Sequence, residues 1–343
     1  MKFGFVPVRQ AEGDILAHGL QAAERPYENQ LSYRISKGTC LTATHIADLE
    51  AEGHSDILVA SLEEGDVGEN DAAERVAAAL LAKNSNLRVT QAKTGRVNLI
   101  AERMGVLDIE TAAIHAANAV DPMITVATAM PFARTRDGFM VATVKIISYG
   151  VSQTSVDQVV DRLQGAMRVR QPIYTSSLMI ETSFHLRELE KPSAKGINAL
   201  NGRLAALGLW AAEHDIVRHT PEALTAALMR ADTDVIFILT ASATSDRRDI
   251  GPAALLAAGG TVTHFGMPVD PGNLLFFGEL RGRPVIGLPG CARSPALNGA
   301  DWVMQRLLCG IPVTPADIAA MGVGGLLKEM PDRPQTREIS GKS

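Results

Sequence analysis

Residues 240–249 read Thr-Ala-Ser-Ala-Thr-Ser-Asp-Arg-Arg-Asp, a small, hydroxyl-rich stretch closed by two arginines between two aspartates. Such a stretch suits an oxyanion. Small residues at Thr240, Ala241, Ser242, Thr244 and Ser245 let backbone N–H groups approach a ligand, and the arginine at Arg248 can meet a phosphate with two parallel hydrogen bonds. A helix expected to open at Pro252 would add the partial positive charge of its N-terminus. Asp249 then stands out, because a carboxylate beside a phosphate is repelled unless a cation lies between them. It is therefore a candidate Mg²⁺ ligand and the candidate catalytic residue. A second reading stays open, in which Asp246 and Asp249 cap the helix and pair with Arg247 and Arg248 on a solvated surface.

A second stretch, Gly287-Leu288-Pro289-Gly290-Cys291-Ala292-Arg293-Ser294-Pro295, repeats the pattern. Pro289-Gly290 makes a tight turn, Ser294 can cap a helix opened by Pro295, and Arg293 can point into the same crevice. A plain strand-to-helix turn is the alternative. Cys291 has no His or second Cys close by in sequence and reads as a small structural thiol. Dinucleotide-binding, P-loop and nucleophile-elbow signatures are absent.

Both stretches follow apolar runs, 234–239 and 284–288, which read as buried strands. From residue 171 onward such runs alternate with helical patterns at 195–207, 222–230, 252–258 and 295–308. Alternation predicts a parallel sheet covered by helices, with ligands beyond the carboxyl ends of its strands. Upstream, residues 1–83 read as a small α+β domain, in which Thr42 caps a helix carrying Ile46 and Leu49 that ends at Gly53. Residues 84–168 read as a β-rich α+β domain, with a helix over 110–119 and a hairpin whose turn is Asp137-Gly138. The α/β domain spans 169–330, and 331–343 reads as a flexible, proline-bearing tail.

Composition narrows the function classes. With 46% hydrophobic and 21% charged residues the chain is an ordinary globular protein, and its net charge of −5 argues against a broad grip on nucleic acid. No apolar run reaches the length of a membrane span and the start lacks a secretory core, so a cytoplasmic location is expected. Three cysteines without a C-x-x-C spacing signal neither a disulfide framework nor a structural zinc site.

Three segments in the same order, 234–252, His264-Phe265-Gly266-Met267-Pro268-Val269-Asp270-Pro271-Gly272-Asn273 and Gly287-Leu288-Pro289-Gly290, resemble the molybdopterin-binding domain. That domain is shared by molybdopterin adenylyltransferase and molybdopterin molybdotransferase, where a T-G-G-x-S-x-G-x-x-D-x-T-P loop, a K-P-G-K-P segment and a G-L-P-G-N-P loop surround the pterin phosphate. Upstream, Gly13-Asp14-Ile15-Leu16-Ala17 and Lys37-Gly38-Thr39-Cys40-Leu41-Thr42 look like the G-x-I-L-A and K-G-T-x-L-T stretches of the molybdotransferase, without the large insertion between them. Thr94-Gly95-Arg96-Val97-Asn98-Leu99, with Leu297-Asn298-Gly299 and Asp301-Trp302-Val303, is closest to the molybdopterin-binding half of proteins fused to a cytidylyltransferase of the molybdenum cofactor type. The tail falls where that fused partner would begin.

The resemblance implies a three-layer α/β domain that binds molybdopterin or the molybdenum cofactor in its biosynthesis or delivery. It places Pro271, Gly272, Pro289 and Gly290 at the ligand, beside the residues of the first loop, Arg293 and Ser294. Implied partners are ATP or CTP, a separate cytidylyltransferase or a molybdoenzyme, and a second copy in a homodimer. The departures bear on activity. Paired glycines become Ala241 and Ser242, the next glycine is Asp246, two lysines are Asp270 and Asn273, and Gly-Asn-Pro becomes Gly290-Cys291-Ala292. Adenylyl transfer or molybdate insertion, with Mg²⁺ on Asp249, is the enzymatic reading. A non-catalytic carrier or scaffold that docks a separate nucleotidyltransferase is the alternative.

Overall fold

The computed structural model describes residues 1–22, 33–190 and 193–327. The expected tail at 331–343 and the expected domain end at 330 lie outside them, as does most of the interval where the resemblance places a missing insertion. Contacts divide the chain into two compact units, one of Met1–Arg103 with Leu107–Val169, the other of Met104–Val106 with the described residues from Arg170 onward.

In the first unit, strand Asp56–Ser61 lies between Lys2–Pro7 and the short Ile15–Leu16, antiparallel to both. Helix Ala43–Ala51 buries Ile46 and Leu49 in a core with Val8, Leu16, Leu41, Ile57 and Val59. Thr42 caps it as expected: its hydroxyl accepts from the His45 N–H while His45 Nδ1 accepts from the Thr42 N–H. Gly53 follows with φ +96°. A second core gathers around an antiparallel sheet ordered Ile124–Thr128, Met140–Ile146, Arg96–Ala101, Leu87–Val89. Helices Glu69–Leu80, Thr111–Asn118 and Gln153–Leu163 bury their apolar faces there, so the first of these, which precedes residue 84, shares the core of the segment that follows it. Gly138 turns the chain into strand Met140–Ile146 with φ +79°.

The second unit is α/β. Its six-stranded sheet runs Glu213–Arg218, Ser177–Ser183, Val235–Leu239, Arg283–Leu288, Phe276–Leu280, Thr261–Phe265. The first four strands are parallel; Phe276–Leu280 runs antiparallel to both its neighbours, so Thr261–Phe265 points the same way as the first four. Every residue of Val235–Leu239 is buried, which explains its unbroken apolar sequence: both faces of a central parallel strand are covered. Ile236 and Ile238 pack with Leu224 and Leu228 of helix Pro221–Arg230 and with Ala254 and Leu255 of helix Ile250–Ala257. The alternate residues face the other way, where Leu239 lies against Gly196 of helix Ala194–Ala205. Helices on both faces make three layers.

Two helix starts differ from expectation. The helix expected from 252 begins at Ile250, because Asp249 rather than a residue beside Pro252 supplies the cap. The helix expected from 295 begins at Gly299 with Asn298 as its cap, and Ser294 instead ends a short 3₁₀ turn, Gly290–Arg293. The cause is Arg203. Its buried guanidinium donates to the carbonyls of Ala199, Ala292, Ser294 and Ala296 and to the Asp301 carboxylate, so the backbone of 292–296 is spent on a side chain instead of a helical ladder. Asp301 accepts in turn from the Asn298 N–H, which closes the capping box.

Candidate functional site

A cavity of about 310 Å³ opens beyond the carboxyl end of strand Ser177–Ser183, within the second unit. Glu181, Thr182 and Ser183 form its floor, Ser193, Lys195 and Gly196 bring the start of helix Ala194–Ala205 to one wall, and Ala241 and Arg293 bring the two anion-type loops to the other. The loops meet because their strands are parallel neighbours, with Leu239 opposite Leu288. Arg293 ties them together: its Nη2 donates to the Thr240 carbonyl at 3.0 Å and pairs with Glu181 Oε1 at 3.3 Å.

Glu181 holds a second partner, His214 Nε2, at 3.2 Å on its other oxygen. The carboxylate is thus fixed between Arg293 and His214 and remains only 12% exposed. Gly196 faces it, and a methyl there would sit 3.4–3.5 Å from both carboxylate oxygens and 2.7 Å from Leu239. The helix start can approach this closely because that position is glycine. Lys195 beside it is exposed, so the wall carries a cation open to solvent.

A second network joins the floor to the first loop. Thr182 Oγ1 accepts from the Ala241 N–H at 2.9 Å and lies 2.7 Å from His219 Nδ1. Burial pushes the His219 pKa below its usual value, opposed in part by the nearby Asp249 charge. With the ring neutral and Nδ1 unprotonated, the Thr182 hydroxyl donates to Nδ1 while its oxygen accepts the Ala241 N–H. His219 also stacks edge-on against Phe184, which lines the cavity.

Of the expected site residues, Ala241 and Arg293 line the cavity. Thr240 is buried and shapes its loop, its hydroxyl bonding the Ser242 carbonyl at 2.7 Å and the Thr244 hydroxyl at 3.1 Å. Asp249 caps helix Ile250–Ala257: one oxygen accepts from the Ile250 N–H at 2.7 Å, the other from the Ser245 N–H at 3.0 Å. Arg248 turns onto Asp246 of its own loop at 2.9 Å, and this contact draws the exposed Asp246 carboxyl down to about 2. Pro289 caps the 3₁₀ turn that begins at Gly290, and the Ser294 carbonyl receives Arg203. Pro271 and Gly272 pack elsewhere, on the start of helix Gly299–Leu308. The Pro271 carbonyl accepts from the Gly299 N–H, and a side chain on Gly272, at φ +143°, would meet the Gly299 backbone at 2.7 Å.

The residues that sequence reasoning missed are Glu181, Thr182, Ser183, Lys195, Gly196 and His219. Their one sequence signal was position, since 181–183 directly follow the apolar run Leu178-Met179-Ile180 and Lys195 opens the helical pattern at 195–207. Among the described residues no three His, Cys, Asp or Glu side chains gather as a metal centre. Asp249 accepts from two backbone N–H groups as a helix cap and joins no such cluster, so its surroundings do not present a built Mg²⁺ site.

No family model matches the chain. Neither does any curated protein. Among solved structures, the molybdopterin biosynthesis moea protein from Pyrococcus horikosii aligns over 74% of this chain and 80% of its own, at 14% identity and a TM-score of 0.29. A molybdenum cofactor biosynthesis protein B aligns over 40% of this chain and 91% of its own, at 16% identity and a TM-score of 0.28. A molybdenum cofactor biosynthesis protein from Pyrococcus furiosus aligns over 91% of this chain and 66% of its own, at 11% identity and a TM-score of 0.23.

Proposed function

We propose that the second unit binds a phosphorylated pterin of the molybdopterin type, in the biosynthesis or delivery of the molybdenum cofactor. One observation carries the reading: the two loops that resemble the molybdopterin-binding domain converge, through Arg293, on a single cavity at the carboxyl ends of parallel strands. A volume of about 310 Å³ is within the range of small-ligand sites and accommodates a pterin ring. Lys195 and Arg293 supply positive charge for an anionic group, and the Ala194–Ala205 helix start adds its dipole. This chain's part is then to bind and orient. When bound, the pterin would supply the dithiolene that holds molybdenum.

Between carrier and transferase, the position of Asp249 favours the carrier. A magnesium-dependent transfer needs that carboxylate turned to the ligand, whereas here it closes the first turn of a helix. Adenylyl transfer, molybdate insertion, a docked cytidylyltransferase or molybdoenzyme, and a homodimer remain parts of the same proposal that separate measurements address.

The test is retention of molybdopterin by the purified chain, with turnover of ATP or CTP measured separately in the presence of Mg²⁺ and molybdate. Retention without turnover is the expected result, and failure to retain pterin sinks the reading. Arg293→Ala should weaken retention by about tenfold or more, the value of one charge-assisted hydrogen bond. Arg248→Ala, whose guanidinium is spent on Asp246, should leave it unchanged.

A further inference from the structure

The charges of the cavity are mixed. Lys195 and Arg293 would welcome an anion, yet the floor between them is a carboxylate, and Glu188 adds a second one, bonded to the Ser183 hydroxyl. A site for a simple phosphate has no use for Glu181, whose charge repels it and offsets Arg293. Nor does the carboxylate serve only to hold Arg293, because the same guanidinium is already held by the Thr240 carbonyl.

Its geometry is that of an acceptor kept ready for a donor. Arg293 and His214 each take one oxygen and hold the group in place. An ionised carboxylate offers about four acceptor positions, so further lone pairs are left. The Gly196 backbone packs closely beside the carboxylate, which nevertheless lines the cavity instead of closing into the core. A rigid, partly desolvated carboxylate on the floor of a cavity can recognise two adjacent N–H donors, the arrangement found in an amidine or in the 2-amino-4-oxo edge of a pyrimidine ring.

We infer that Glu181 is a specificity-determining residue: it accepts the 2-amino and ring N–H edge of the bound heterocycle, while Lys195 and Arg293 meet an anionic group on the same ligand. This deepens the proposed pterin function and rests on it. The cavity would thus select a molecule carrying both features, and reject one whose 2-amino group is replaced by a carbonyl, since that oxygen would face the carboxylate.

Fluorescence titration of the full chain with pterin-6-carboxylate and with lumazine-6-carboxylate, its 2-oxo counterpart, tests the inference without any mutation. Wild type should bind the pterin at least about tenfold more tightly. Glu181→Gln should weaken the pterin and bring the two ligands within about twofold of each other. Equal binding of both ligands by wild type overturns the role of Glu181 and leaves the pterin site standing. A preference that survives intact in Glu181→Gln also overturns it, because another group then reads the ring. Binding of neither ligand removes the pterin site and the inference together.

Discussion

His219 links a titration to the shape of the site. Its folded pKa lies below the usual value near 6.5, so the unfolded chain binds the proton more readily. The sign follows: the stabilising contribution of the neutral ring is present above about pH 6.5 and is lost as pH falls through that value toward the lower folded one. Protonation would turn Nδ1 from acceptor to donor, and the Thr182 hydroxyl, which already receives the Ala241 N–H, would have to send its own proton elsewhere. Thermal unfolding between about pH 7 and 5 should therefore show a fall in Tm for wild type that is smaller in His219→Gln. Equal slopes for the two proteins would place the ring outside the linkage. Residues such as Arg293 and Ala241 were legible because they sit in loops of unusual composition. His219, Glu181 and Lys195 were not, since a lone histidine, a glutamate at a strand end and a lysine in a helix carry no pattern of their own.

The elements explain why several of the anticipated ligand contacts are made within the loop itself. In the 240–249 loop, the hydroxyl of Thr240 and the carboxylates of Asp246 and Asp249 find partners within a few residues, as short polar side chains next to a helix start tend to do. Asp249 then contributes chiefly as a cap. Asp249→Asn, which keeps one acceptor for the two N–H groups, should cost less than Asp249→Ala, which loses both and should cost about 1–2 kcal/mol, read by denaturant titration. A magnesium titration of ligand binding that gives the same curve for wild type and Asp249→Asn would agree with capping, and a curve lost only in the variant would restore the metal role. The apolar strands at 235–239 and 283–288 were plain in the sequence, being buried on both faces. The edge strands Glu213–Arg218 and Thr261–Phe265 were not read, because half-buried strands at the two sides of a sheet retain Glu213, His214, Asp215 and His264 and lack an apolar run. Nor could a helix start at Gly299 be foreseen, as it depends on Arg203, some ninety residues earlier in the chain.

At the scale of the molecule, the alternation of strands and helices beyond residue 171 was enough to foresee a parallel sheet and where its crevice would lie. Composition alone could do less, since a net charge of −5 says nothing of a cavity that sets Lys195 and Arg293 beside Glu181 and Glu188. The three thiols divide differently from the site. Cys40, in the first unit, and Cys291, in the loop beside the cavity, are exposed, whereas Cys309 is buried at the end of helix Gly299–Leu308 and its pKa is pushed up to about 12. A thiolate-seeking dye should accordingly colour two positions at once and the third only when the second unit opens. The chain thus carries its own stopwatch: the slow third of the colour change times the opening of the α/β unit, and a pterin that occupies the cavity should make that stopwatch run slower.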